Sequence, residues 1–332
     1  MGEKEIDKQS AHLRKERAMK AKAIATVVAV LAAAGMAQAD TDTFGSGTNS
    51  FNIDFVPISK ATNPSTGYGI VANDYRMGKF EITNDQWDKF KAAYGTVTGN
   101  AGVPGYPNIG YSLSSAYTGA NIPTNNVSWL EAAQFVNWLN TSAGHTAAYK
   151  FTGTIHTSDY TFSAWASSDS GYNANNPFRN SNAFYYLPTE NEFVKAAYWN
   201  GRALQTYSNA SASDLVSGSP DPAKWNYLSS GRNTPWVVGS GSQELNGTYD
   251  MMGNVFEWIE DPYAGWLRKL RGGCWLNDSS TLAASDWHYN RPDSEDYALG
   301  FRVASQLPEP ATLSLLALGG LAILRRKKGA EQ

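Results

Sequence analysis

The chain has 332 residues, with 27 Lys/Arg against 30 Asp/Glu, a formal net charge of −3 and a single cysteine. That mild acidity excludes nucleic-acid binding through bulk charge, because phosphate backbones are held by clustered cations. One cysteine also excludes an internal disulfide framework.

The N-terminus reads as an export signal. Residues 1–22 hold seven Lys/Arg, an apolar run covers Ala23 to Met36, and Ala37-Gln38-Ala39 follows. This charged, apolar, small-residue order predicts removal of residues 1–39 by signal peptidase after Ala39. Met19 heads an equally regular signal and is a second candidate start. The apolar run is short for a membrane span. The expected mature body, residues 40–305, carries 16 Lys/Arg and 24 Asp/Glu, giving 16 − 24 = −8. Such a balance favours divalent cations over polyanions.

Along the body, strands are predicted at Phe51–Val56 and Met77–Ile82. Three helices follow, each opened by a capping box. Thr83 with Gln86 opens one carrying Trp87, Phe90 and Tyr94 on a single face. Ser128 with Glu131 opens a second lined by Ala132, Phe135, Val136 and Leu139. Thr189 with Glu192 opens a shorter third with Phe193, Ala196 and Ala197. These faces have helical spacing and are expected to form the core. Residues 141–181 and 201–221 read as long loops, and further strands are predicted at Trp236–Val238 and Leu299–Ala304.

The segment from Gly247 to Trp258 places Asp250, Asn254 and Glu257 among large apolar side chains. Buried carboxylates need a partner or a cation. Carboxylates and carbonyls of a glycine-containing turn are the ligands that Ca²⁺ takes. The same residues also fit a plain turn in which Asp250 caps a bend and Glu257 is salt-bridged.

Five further blocks stand around this segment: Met77-Gly78-Lys79-Phe80-Glu81-Ile82-Thr83-Asn84, Asn126-Val127-Ser128-Trp129-Leu130-Glu131-Ala132-Ala133, Tyr186-Leu187-Pro188-Thr189-Glu190-Asn191-Glu192-Phe193, Leu270-Arg271-Gly272-Gly273-Cys274-Trp275 and Gly300-Phe301-Arg302-Val303. In this order they resemble the sulfatase-modifying-factor family, which includes the formylglycine-generating enzymes. The resemblance covers about 77–304, within one domain at 40–305. It implies a compact, coil-rich α+β fold related to C-type lectins. It also implies calcium held by the side chains of Asp250 and Glu257 and the carbonyls of Gly253 and Val255. A second calcium site would begin at Asn226 and the Tyr227 carbonyl, with its expected Asp near Ser230 or Asn233.

Formylglycine-generating enzymes oxidise a substrate cysteine through a copper-binding cysteine pair, a soft-ligand site. Those two positions fall on Asn277 and Leu282 here, so the resemblance implies neither copper nor aldehyde generation. Iron-dependent relatives take histidines from an additional domain; this body holds only His145, His156 and His288. An alternative oxidative site is readable in Cys274, Trp275, Asp286, His288, Tyr289 and Arg291, the catalytic candidates being Cys274, His288 and Arg291. The strip Trp287-His288-Tyr289 also suits stacking on sugar rings, or simple packing.

The C-terminus has three parts at 306–328: Leu307-Pro308-Glu309-Pro310, the apolar run Ala311 to Leu324, and Arg325-Arg326-Lys327-Lys328. The apolar run spans only about 21 Å as a helix, and the basic cluster would stay cytoplasmic. This tail resembles a PEP-CTERM sorting signal, which implies transient membrane association, exosortase cleavage near Pro308–Pro310 and release to or attachment at the cell surface; a permanent single-pass anchor is the other reading of the same three parts. The expected function is a calcium-stabilised binding or structural module facing outward, with extracellular polysaccharide or peptide as ligand. The alternative is an oxidative tailoring enzyme with a site other than the cysteine pair, and a scaffold presenting its loops to partner proteins is a third option.

Overall fold

The computed structural model describes residues 40–97, 117–157, 159–209, 215–228 and 234–307. The expected leader and the apolar C-terminal run lie outside them. Among the described residues no helix is long and apolar enough to cross a membrane.

Eleven strands and three α-helices are described. The strands are β1 (Asp40–Phe44), β2 (Phe51–Ile58), β3 (Tyr75–Gly78), β4 (Lys150–Thr152), β5 (Thr161–Ser163), β6 (Tyr185–Tyr186), β7 (Phe256–Tyr263), β8 (Leu267–Arg271), β9 (His288–Asn290), β10 (Leu299–Gly300) and β11 (Ala304–Gln306). The helices are α1 (Asn84–Tyr94), α2 (Trp129–Ser142) and α3 (Glu190–Tyr198). A five-stranded sheet has the order β1-β2-β3-β11-β6, a four-stranded sheet β10-β7-β8-β9, and β4 pairs with β5 alone. The fold is α+β and rich in coil.

All three capping boxes are formed. The Gln86 amide donates to Thr83 Oγ1 at 3.3 Å and the Thr83 amide to Gln86 Oε1 at 2.9 Å. The Ser128–Glu131 and Thr189–Glu192 pairs repeat this with bonds of 2.7–3.2 Å. Each box satisfies two amides that a helix start otherwise leaves bare. The predicted faces are buried: Phe90, Phe135, Leu139, Phe193 and Ala196 are fully enclosed. Two enclosed indoles tie α2 to β7, with Trp129 Nε1 donating to the Ile259 carbonyl at 3.0 Å and Trp258 Nε1 to the Val127 carbonyl at 2.8 Å. An indole buried this way keeps its polar edge bonded.

Four predicted elements differ, the first being the strand expected at Met77–Ile82, which runs instead from Tyr75 to Gly78. Residues 141–181 contain the β4–β5 hairpin, with Phe151 opposite Phe162. Trp236–Val238 is not a strand. Its amides bond singly, Trp236 to Asn254 Oδ1 and Val238 to the Asn121 carbonyl, so no ladder forms. The strand expected at Leu299–Ala304 splits. Its first part pairs parallel with β7 and its last part lies between β3 and β6. Phe301, Arg302 and Val303 therefore cross between two sheets, all three buried. A short run that is apolar but for Arg302 can be read as one strand, but crossing from sheet to sheet depends on partners distant in sequence.

Candidate functional site

The crossing puts Arg302 in the interior, against the turn that precedes β7. Arg302 Nε donates to Glu257 Oε2 at 2.6 Å and Nη2 to Glu257 Oε1 at 2.6 Å. The same guanidinium donates to the carbonyls of Tyr249 (2.9 Å) and Gly78 (3.0 Å). Neither charged side chain reaches solvent. The turn is shaped by three residues with positive φ: Asp250 at 60°, Gly253 at 81° and Asn254 at 56°. Asp and Asn tolerate that region better than most residues. At Gly253 a Cβ would collide with the Asn226 carbonyl, so glycine is required there.

Asn254 is the hub of the turn. Its Oδ1 accepts from the Trp236 amide at 2.7 Å and from Asn226 Nδ2 at 3.1 Å. Its Nδ2 donates to Glu81 Oε2 at 2.7 Å, and the Val255 amide donates to Glu81 Oε1 at 3.2 Å. Asp250 Oδ2 accepts from the Gly239 amide at 2.6 Å. Glu244 accepts from the amides of Met251 (3.1 Å) and Met252 (3.0 Å) and from the Thr248 hydroxyl (3.1 Å).

Four buried carboxylates, Glu81, Glu244, Asp250 and Glu257, thus share one guanidinium, a formal balance of −4 + 1 = −3. Burial pushes Glu244 up to about 8 and Asp250 up to about 6, with Arg302 opposing in both. Glu81 is raised well above the usual carboxylate range by burial and then by Asp250 and Glu257. Burial also raises Glu257, against the pull of Arg302. Buried negative charge in excess is costly unless protons or a cation offset it. Among the described residues no three His, Cys, Asp or Glu side chains converge on one ion position. An ion here would therefore draw on main-chain carbonyls as well as carboxylates, an all-oxygen set of the type hard cations take. It would also share Glu257 with Arg302.

Of the expected second site, Asn226 adjoins this turn, its carbonyl accepting from the Asn254 amide at 2.9 Å. Asn226 Nδ2 also donates to the Thr234 carbonyl at 3.0 Å, and the Tyr227 hydroxyl to the Leu215 carbonyl at 2.9 Å. Ser230 and Asn233 lie outside the described residues.

The two positions that the resemblance assigns to the cysteine pair hold residues with structural contacts. Asn277 Oδ1 accepts from the Cys274 amide at 2.8 Å, and Leu282 is enclosed in an apolar cluster with Phe193, Met251 and Ala284. Cys274 is buried beside Val255, Trp275 and Ala298, and burial pushes its thiol up to about 11. Arg291 pairs with Asp293 through bonds of 3.0 and 2.6 Å. The histidines sit on separate elements. His145 stacks on Phe184, His156 bonds the Thr96 carbonyl at 2.6 Å, and His288 stands on β9 at 3.2 Å from Asp286.

Glu81, Glu244 and Arg302 were not among the residues expected to form the site. Glu81 and Arg302 lie within the family-like blocks, where charge amid buried apolar residues was a usable signal; Glu244 lies in a loop without a pattern.

The fold and this site define a sulfatase-modifying-factor domain. The chain matches the family described as "Sulfatase-modifying factor enzyme 1-like domain" over residues 16–307 and belongs to it. Residues 306–328 match the PEP-CTERM protein-sorting motif. The mouse protein named "Inactive C-alpha-formylglycine-generating enzyme 2" is 40% identical over 76 residues, which span 20% of this chain and 25% of that one. The "Serine/threonine-protein kinase Pkn1" of Chlamydia trachomatis is 34% identical over 106 residues, 26% of this chain and only 17% of the kinase. The fold is also similar to "Treponema denticola variable protein 1" (TM-score 0.54, 21% identity, 80% of this chain and 99% of that one).

Proposed function

We propose that this is an exported domain, sorted to the cell surface, that binds an extracellular ligand and does not generate aldehydes. The observation carrying this reading is the fate of the cysteine-pair positions. Asn277 is an internal hydrogen-bond acceptor and Leu282 a core residue, so the soft ligands for copper are missing from both. The sorting motif supports delivery to the surface by exosortase processing. A relative carrying "Inactive" in its name supports loss of catalysis within the same fold.

Calcium is part of the proposal. Asp250, Glu257 and the carbonyls of Gly253 and Val255 would hold it, and it would neutralise part of the buried excess of carboxylate. The donor type and the sign of the local charge fit such an ion.

The test is incubation with a cysteine-containing peptide, Cu(I) and oxygen, together with adsorption to extracellular matrix from producing cells. Unconverted cysteine by mass spectrometry and saturable adsorption are expected. Conversion of the cysteine to an aldehyde would overturn the reading.

A further inference from the structure

We propose that Tyr263, Trp287 and Tyr289 form a saccharide-binding strip that takes a neutral pyranose chain. This rests on the binding-domain reading and names its ligand class. Tyr289 lies on β9, the last strand of the four-stranded sheet, and stacks on Tyr263 with ring centroids 4.4 Å apart and planes 29° apart. Trp287 leans on Tyr263 at 4.9 Å. Half of Tyr289 remains exposed, at 50% of its surface, so core packing does not account for the cluster. The rings offer apolar faces with polar rims, two phenol hydroxyls and an indole N–H. Sugar rings present the matching surface, a C–H face bordered by hydroxyls.

Charged groups of both signs lie near the strip. Lys269 Nζ lies 4.9 Å from the Trp287 ring and bonds Glu190 Oε2 at 2.5 Å. Glu190 Oε1 and Arg271 Nη2 are 3.0 Å apart, yet neither atom makes an aligned hydrogen bond among the described residues. Both side chains are at least nine-tenths buried. Asp286, next to Trp287, is about a third exposed, and its Oδ2 makes ion contact with His288 without an aligned hydrogen bond. Lys269 and Arg271 stand against Glu190, Asp261 and Asp286, so the strip has no excess of positive charge to draw uronic or sulfated chains. Buried polar atoms lacking hydrogen bonds are costly. Glu190 and Arg271 offset each other as a buried ion pair, so the polar contacts to a sugar come from the rims of the rings themselves, the phenol hydroxyls and the indole N–H.

The test is affinity gel electrophoresis of the whole protein in galactomannan, mixed-linkage β-glucan and xylan, beside a screen for peptide binding. Wild-type protein, Tyr289→Ala and Trp287→Ala/Tyr289→Ala are compared, with melting curves to verify folding. The expected result is retardation of the wild type in at least one gel, with affinity about tenfold or more weaker in a folded variant. The exposed site makes Tyr289→Ala the variant that keeps its fold even where the double one does not. Retardation equal in wild type and Tyr289→Ala would overturn the strip as the site. No retardation in any gel, with peptide binding intact, would overturn the saccharide assignment but leave the binding-domain reading standing. No retardation and no peptide binding would overturn both.

Discussion

Arg302→Met takes away the one guanidinium that faces four buried carboxylates. Glu257 then loses both of its 2.6 Å bonds, and the carbonyls of Gly78 and Tyr249 lose a donor each. Stranding one partner of a buried ion pair costs about 3–5 kcal/mol. Two main-chain carbonyls without donors add about 1 kcal/mol apiece, for a loss of about 5–7 kcal/mol. For a domain of this size each kcal/mol shifts the melting temperature by about 2–4 °C. A fall of about 10–25 °C is therefore expected. Glu257→Gln on the same background removes the stranded charge and should recover about 2 kcal/mol. Urea denaturation followed by tryptophan fluorescence, run as a double-mutant cycle, measures both effects. An Arg302→Met variant within about 1 kcal/mol of wild type, or a double variant no more stable than the single one, would refute the reasoning.

Asn254→Ala removes four hydrogen bonds from the hub of the turn and puts alanine, which tolerates positive φ less well than asparagine, at 56°. A loss of about 2–4 kcal/mol by denaturation is expected, and a neutral effect would discount the hub. Glu260 is raised to about 7 by burial, opposed by Arg179 and reinforced by Glu192 and Asp261. Tyr149 and Asn176 donate to its carboxylate, and Arg268 bonds its carbonyl. The folded state holds this proton above the ordinary 4.5. Its contribution is therefore full below that value and is lost as pH rises to 7, up to about 3 kcal/mol. Glu260→Gln should flatten this part of the stability–pH curve; equal slopes in variant and wild type would contradict it. Native Cys274 should resist iodoacetamide at neutral pH and react rapidly once the protein is unfolded, because its thiol is 2% exposed and its proton is held. Equal rates in the two states would place the thiol at the surface.

The helices were legible because capping boxes and aromatic spacing act locally. Thr83, Ser128 and Thr189 stand where the sequence expects them. Asp250 and Glu257 were legible as buried carboxylates in search of a counter-charge. Both the salt-bridge and the calcium reading were open, and Arg302 supplies the salt bridge. That partner was hidden because it lies 45 residues away, on a segment read as one strand. Glu81 was hidden in the same way, being 173 residues from Asn254. The β4–β5 hairpin was missed because three-residue strands carry too little alternation to separate them from a loop.

Elemental analysis of the protein, purified without chelator or added metal, tests the central claim most directly. About one calcium per chain with neither copper nor iron is the result the account predicts. Stoichiometric copper or iron would contradict it, because it would place a redox centre in this domain.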